Sequence, residues 1–278
     1  KLVITGTDLD VSTSVRIPCT VTTPGRIAVS ARHFNEVVRK IARGPLSLAV
    51  RQQQVELKYG DGKGWSRFPT QDPSDFPRVP ELKAETQLTL EPQVFGRLSE
   101  RSGYAASTEE TRPQLNGVLI QGTEKQVTFV ATDGHRLAQA IRHGSFAVLS
   151  KDGVIVPTRA LHAVSRAAQD ATSPVEIQVA GGRNQAAFAM NVGEYRVEIV
   201  TRLLEGPYPN YEQVVPKNNP RQLTCARADL AEAVDIVASH ADNVTRQVRF
   251  SVRNNELGVS SATAPRGGGD KSAGRYGR

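Results

Sequence analysis

The sequence predicts an α+β fold made of tandem repeats, each unit setting two helices against antiparallel sheets. Two observations carry that prediction. Short strand patterns alternate with amphipathic helix patterns, and the order of elements recurs at an offset of about 125 to 135 residues. The clearest stretch is VTFVATDGHRL, Val127 to Leu137. Val127, Phe129 and Ala131 alternate with Thr128, Val130 and Thr132, and Asp133-Gly134 then permits a tight turn. LVITGTDLDV, Leu2 to Val11, repeats the pattern, with Thr7-Asp8 standing for Thr132-Asp133.

The first copy continues into IAVSARHFNEVVRKI, Ile27 to Ile41. Phe34, Val37, Val38 and Ile41 make one apolar helix stripe, while Arg32, Arg39, Lys40 and Arg43 lie opposite with a single acid, Glu36. Three short strand patterns follow, LSLAV, QVELKYG and GWSRF, between Leu46 and Phe68. GDGKG, Gly60 to Gly64, lacks the P-loop spacing and precedes no helix, so it reads as a hairpin turn. DFPRVP, from Asp75, closes the copy.

The middle copy opens on a helix at Glu91-Pro92, where proline's missing N–H does no harm. VIVPTRALHAVSRAA, Val154 to Ala168, matches the first-copy helix, with Arg159 for Arg32 and Arg166 for Arg39. Leu161, Val164 and Ala168 form its inward stripe, Arg159, His162 and Arg166 its outward one, and no acid stands between Arg159 and Gln169. Strand patterns VEIQVA, NQAAFAM and YRVEIV follow, and YPNYEQVVP, Tyr208 to Pro216, echoes DFPRVP. A third copy begins at Leu223, with a helix expected over Arg227 to Ala238 and ELGVSSAT as its counterpart of the Thr-Asp strand. The units are thus residues 1–82, 83–218 and 219–264, only the middle one whole, with a Gly-rich basic tail at 265–278 expected to lack structure.

Composition narrows the function. The chain has 278 residues, 38% hydrophobic and 5% aromatic, enough for two or three cores and too few aromatics for a ligand cage. No long apolar run and no signal-peptide layout is present, so a cytoplasmic protein is expected. Cys19 and Cys225, in different copies, read as isolated reduced thiols, and the sequon at Asn243 as inert. Net charge is +7, of which the tail supplies +3, so the placement of charge matters more than its total. Two helices that keep arginine at matched places, with acid sparse around both, point to phosphate contact.

Asp133 and His135 invite a catalytic reading, as a carboxylate and an imidazole two residues apart. No HExxH, Cys/His cluster or G-x-S-x-G accompanies them, and the first copy has Leu9 and Asp10 after its own Thr-Asp. A non-enzyme without metal or cofactor is expected. A ring-less DNA-binding or interaction module stays open as an alternative, as does a metal-dependent nuclease using Asp133 and His135.

RPQLNGVLIQGTEKQVTFVATDGHRLAQA, Arg112 to Ala140, resembles the middle-domain segment of the bacterial DNA polymerase III β subunit family, the β sliding clamps, whose pattern is LNG followed by ATDGHRLA. GTDLD, VIVPTRAL and YPNYEQVVPKN match it in the same order, so the resemblance runs from Lys1 to about Ala262. It implies three similar domains per subunit and a head-to-tail homodimer ring, with helices lining the hole. The implied function is a processivity factor that encircles duplex DNA and tethers the replicative polymerase, the clamp loader and other clamp-binding-motif proteins. By position Arg32, Arg39, Lys40, Arg112, Arg159 and Arg166 are then candidates for DNA contact.

The resemblance also implies a groove for linear peptides at the junction of the second and third domains. Carried over by position, its residues are Leu115, Thr132, Gly134, His135, Arg136 and Leu137, joined by Pro209 and Val214. Pro113-Gln114 stand where the family often has aromatics, and Gln213 where a basic residue often flanks the groove. The family's first helix and its closing apolar strand find no match, so the chain is expected to be truncated at both ends. Part of the ring-closing surface is then missing, and exposed apolar edges that favour aggregation are expected.

Overall fold

Alternation and turn chemistry place the strands, and tertiary packing decides how they join. The computed structural model describes residues 1–79, 82–182, 184–241, 246–253, 256–262 and 273–276. The chain divides into two units, Lys1–Tyr211 and Glu212–Arg278, each considered by itself.

In the larger unit the first copy runs β1 (Leu2–Thr7), β2 (Val11–Ile17), β3 (Ala28–Val29), α1 (Ala31–Val38), β4 (Ser47–Arg51), β5 (Gln54–Tyr59) and β6 (Gly64–Gln71). The middle copy runs β7 (Ala84–Leu90), α2 (Pro92–Gly103), β8 (Gly117–Gly122), β9 (Gln126–Thr132), β10 (Leu137–His143), β11 (Ser150–Pro157), α3 (Thr158–Gln169), β12 (Val175–Ala180), β13 (Gln185–Val192) and β14 (Tyr195–Arg202). The expected elements appear at their expected places. Gly60, Asp61 and Gly62 all have positive φ, which makes GDGKG the β5–β6 hairpin turn. The apolar periodicity up to Ile41 overruns α1, which stops at Val38, so Arg39 caps it and Lys40 sits in the following turn.

The middle copy is itself two halves of one pattern, strand, helix and a three-stranded meander. Each half lends its first strand to the other: β7 pairs with β12, and β11 pairs with β8. The swap fuses both halves around one core. Phe95 on α2 stands at its centre, edge-on to Phe129 of β9 at 5.7 Å and to Phe188 of β13 at 6.0 Å. Leu161, Val164 and Ala168, the inward stripe of α3, are buried in the same cluster.

A second join links the copies. Strands β1 and β2 extend the middle-copy sheet through β14, giving the order β1-β2-β14-β13-β12-β7 with Val15 opposite Val197 and Thr13 opposite Ile199. The remaining first-copy strands form the sheet β3-β6-β5-β4, on which α1 rests through Phe34 against Phe68 at 5.5 Å. Among the described residues the outer edges of β1 and β4 pair with no strand. Val3, Ile4, Leu48 and Val50 are exposed on these two strands.

The smaller unit contains α4 (Arg227–Ala238) and the antiparallel strands β15 (Arg249–Arg253), β16 (Glu256–Ala262) and β17 (Ala273–Tyr276). Helix α4 spans the residues expected of it and rests on Val259 through Ala233 and Val237, a small core. Most of the expected structureless tail lies outside the described residues, as does the sequon at Asn243; the tail's described stretch, 273–276, differs from expectation by pairing with β16. Among the described residues no helix is long and apolar enough to cross a membrane.

Candidate functional site

The turn after β9 brings most of the expected groove residues together. Asp133 Oδ1 accepts the N–H groups of His135 and Arg136, both at 2.9 Å, and its Oδ2 accepts the Arg136 Nε–H at 3.0 Å. The Thr132 hydroxyl accepts the Gly134 N–H at 3.1 Å and donates to the Arg136 carbonyl at 2.7 Å. Gly134 has φ +93°, a left-handed conformation that glycine adopts without a Cβ clash. The Arg136 N–H, then the His135 N–H, favour the ionised carboxylate and hold Asp133 down at about 2. A carboxylate so weakly basic is a poor partner for proton transfer, and its bonds make it the cap of a turn.

Around this turn the side chains differ in depth. Leu115 and Thr132 are buried, Leu137 is half-buried, and Gly134, His135 and Arg136 are exposed. The Arg136 guanidinium lies 5.9 Å from the ring centroid of Tyr104, an exposed aromatic at the end of α2. Arg112, a candidate for DNA contact, sits beside this turn: a Cβ on Gly134 would meet its Nη1 at 3.3 Å. Leu137 packs on a cluster of Leu119, Val130, Ile155 and Tyr211, and Tyr208 packs there too, donating its hydroxyl to the Val130 carbonyl at 3.4 Å. Burial pushes the Tyr208 phenol up to about 12, so it stays a neutral donor. Pro209 follows it and is exposed; Val214 belongs to the smaller unit and is also exposed.

The helix arginines stand where the periodicity puts them. On α3, Arg159, His162 and Arg166 are exposed while Ala160, Leu161, Val164 and Ala168 are buried. On α1 no residue is fully buried, and Arg32, Arg39 and Lys40 are exposed. Two of these cations have acid partners. Arg32 reaches Glu36 one turn along at 3.3 Å, whereas Arg159 pairs with Asp8 of the first copy. The absence of acid along the α3 sequence therefore does not carry into space, because the fold delivers one from 151 residues away. Among the described residues Arg166 makes no ion pair. A cavity of about 720 Å³ follows this face of α3, lined by Arg159, His162 and Arg166 and, from the sheet, Thr13, Val197 and Ile199.

Sequence reasoning missed Tyr104, Tyr208, Tyr211 and Asp8. The paired tyrosines of YPNYEQ were a usable signal, since aromatics just beyond a sheet need a surface to cover. Thr7-Asp8 marked a turn, but nothing in it pointed to Arg159, which is remote in sequence.

Copied α+β domains fused edge to edge, with arginine on the exposed faces of their helices, have the architecture of a clamp-type scaffold. The central-domain model of the DNA polymerase III beta subunit matches residues 89–210, and the N-terminal-domain model of the same subunit matches residues 1–80. The chain is 29% identical over 257 residues to the beta sliding clamp of Caulobacter vibrioides, covering 91% of this chain and 68% of the relative. It is 28% identical over 261 residues to that of Escherichia coli, covering 94% and 69%. A DnaN sliding clamp from Pseudomonas aeruginosa, solved bound to griselimycin, superposes with a TM-score of 0.84 at 25% identity, covering 99% of this chain and 72% of that one. The chain belongs to the DNA polymerase III beta subunit family, the beta sliding clamps. It is a DNA sliding clamp, in a family of processivity factors that are not enzymes. The nuclease alternative falls with that assignment.

Proposed function

We propose that this clamp meets duplex DNA through the outward faces of α3 and α1, Arg166 foremost, and grips partner peptides through the turn at Thr132–Leu137. The observation that carries the first part is α3 itself: its apolar stripe is wholly committed to the core while arginine and histidine occupy the exposed face. Guanidinium groups on a rigid helix attract phosphates without reading base edges, which suits a protein that must slide. Arg32, Arg39 and Lys40 add to the same field, while Arg112 is better placed to hold a peptide near Gly134 than to meet DNA. The layout behind this reading is three clamp domains, 1–82, 83–218 and 219–264, closing with a second copy into a ring around DNA in the cytoplasm.

The peptide reading rests on the mixture at the turn. Leu137, half-buried, offers apolar anchorage, whereas Leu115 is buried and only backs the site, and Gly134, His135, Arg136 and Arg112 offer polar groups to orient an extended backbone. The partners on this reading are the replicative polymerase's catalytic subunit, the clamp loader and other proteins that carry a clamp-binding motif. Binding to duplexes of unrelated sequence, measured across a salt series, tests the DNA part. The expected result is equal affinity for all sequences and a slope that Arg166→Ala reduces by about 0.9, the value of one phosphate contact. Sequence preference, or a slope indifferent to Arg166, contradicts it.

A further inference from the structure

The first-copy turn reproduces the backbone-directed hydrogen bonds of the middle-copy turn. Asp8 Oδ1 accepts the N–H groups of Asp10 at 3.1 Å and Val11 at 2.8 Å, as Asp133 Oδ1 accepts those of His135 and Arg136. The Thr7 hydroxyl accepts the Leu9 N–H at 3.0 Å and donates to the Val11 carbonyl at 3.3 Å, as Thr132 does for its own turn. Leu9 stands at φ +82°, in the conformation of Gly134. One bond differs. Val11 occupies the place of Arg136, so Asp8 Oδ2 has no arginine within its own turn, and Arg159 of α3 fills that position from the middle domain.

We propose that Asp8 and Arg159 form an interdomain latch: Arg159 is a positioning residue that seats the middle domain's α3 against the first domain's β1–β2 turn, and it is withheld from phosphate while the latch is closed. The geometry suits such a device. Both turn N–H groups fix the Asp8 carboxylate, the Arg202 N–H donates to the Asp10 carbonyl at 3.1 Å and so holds the turn to β14, and Arg159 lines a pocket with Gly6, Thr7, Asp8 and Val11. The anion is therefore in place before the arginine arrives, which lowers the entropy lost in pairing an exposed side chain. The inference assigns the α3 phosphate contact to Arg166 and rests on the reading of α3 as a DNA-facing helix.

Two measurements on the whole chain test it. In duplex-DNA titrations across a salt series, Asp8→Asn is expected to tighten binding on the order of two- to fivefold and to steepen the slope by about 0.9 as Arg159 becomes available. In an Arg159→Ala background the same change is expected to do neither. The latch is overturned if Asp8→Asn leaves binding unchanged while Arg159→Ala weakens it as much as Arg166→Ala. A double-mutant cycle of Asp8→Asn and Arg159→Ala on the urea midpoint reads the pair without DNA. Non-additive midpoints support the latch, and additive ones overturn it. If Arg166→Ala leaves DNA binding untouched, it is the DNA-facing reading of α3 that fails, and the urea cycle alone decides the latch.

Discussion

The Thr132–Leu137 turn and the Thr7–Val11 turn share a backbone and part company in their arginines. In the middle copy Asp133 keeps its arginine at home, which leaves His135, Arg136 and Arg112 displayed around an exposed Gly134. In the first copy the same carboxylate reaches out of its turn to α3. One piece of local chemistry thus serves a display surface in one domain and a join between domains in the other; of the three positions at which the turns differ, Arg136 against Val11 decides whether the arginine is local. The helices that follow the turns differ in the same sense. Helix α3 is sunk into a core fed by both halves of its domain, whereas α1 leans on its sheet through half-buried residues.

The largest expected effect sharpens the contrast between the helices. Leu161→Ala empties a fully buried site and is expected to cost about 2–5 kcal/mol by urea unfolding, whereas Val37→Ala on α1 costs about 1 kcal/mol or less. Equal losses would mean that α1 is as deeply committed as α3. Next come the turns themselves. Gly134→Val forces a β-branched residue into a left-handed conformation at about 1–2 kcal/mol, while Leu9→Gly relieves that strain and raises the midpoint. A stabilising Gly134→Val would break the equivalence of the two turns.

A smaller effect is set by pH. The folded Asp133 sits at about 2 against an ordinary 3.8, so it binds its proton more weakly folded than unfolded. Its contribution to stability is complete above pH 3.8 and is lost as pH falls towards 2; Asp8, lowered chiefly by the Val11 N–H, behaves in the same sense. Asp133→Asn should flatten the decline of the thermal midpoint over that window. An unchanged decline would show that the carboxylate is not held as described. The smallest change expected is from Arg136→Ala, whose ion pair is largely solvated: stability shifts by under about 1 kcal/mol, while affinity for a clamp-binding peptide falls several-fold.

Much of the fold was legible because its signals are local. The stripe Leu161, Val164, Ala168 and the proline at the start of α2 mark helices by spacing and by cap chemistry. The Thr-Asp pairs mark turns by side chains that bond their own backbone. What stayed hidden depends on distant partners. Strand β9 reads as half-polar, yet Thr128 and Thr132 are buried, and Val130 is covered by Leu137, Tyr208 and Tyr211 from later in the chain. The join of β2 to β14 leaves no mark in either strand, since backbone hydrogen bonds are blind to side-chain identity. Arg159 and Arg166 look alike on a helical wheel and differ because β1–β2 supplies an acid to one of them. Arg112 likewise reads as one more cation until the structure sets it beside Gly134.

The most direct test of the clamp account is topological. The protein is loaded onto nicked circular DNA, the circle is cut once with a restriction enzyme, and the fraction still bound is followed at a salt concentration that suppresses direct phosphate contact. A ring closed by a second copy, despite the family segments that find no match in this sequence, predicts retention on the circle and rapid loss after linearisation, because a closed ring leaves only over a free end. Equal retention on circle and line, or equal loss from both, would contradict it.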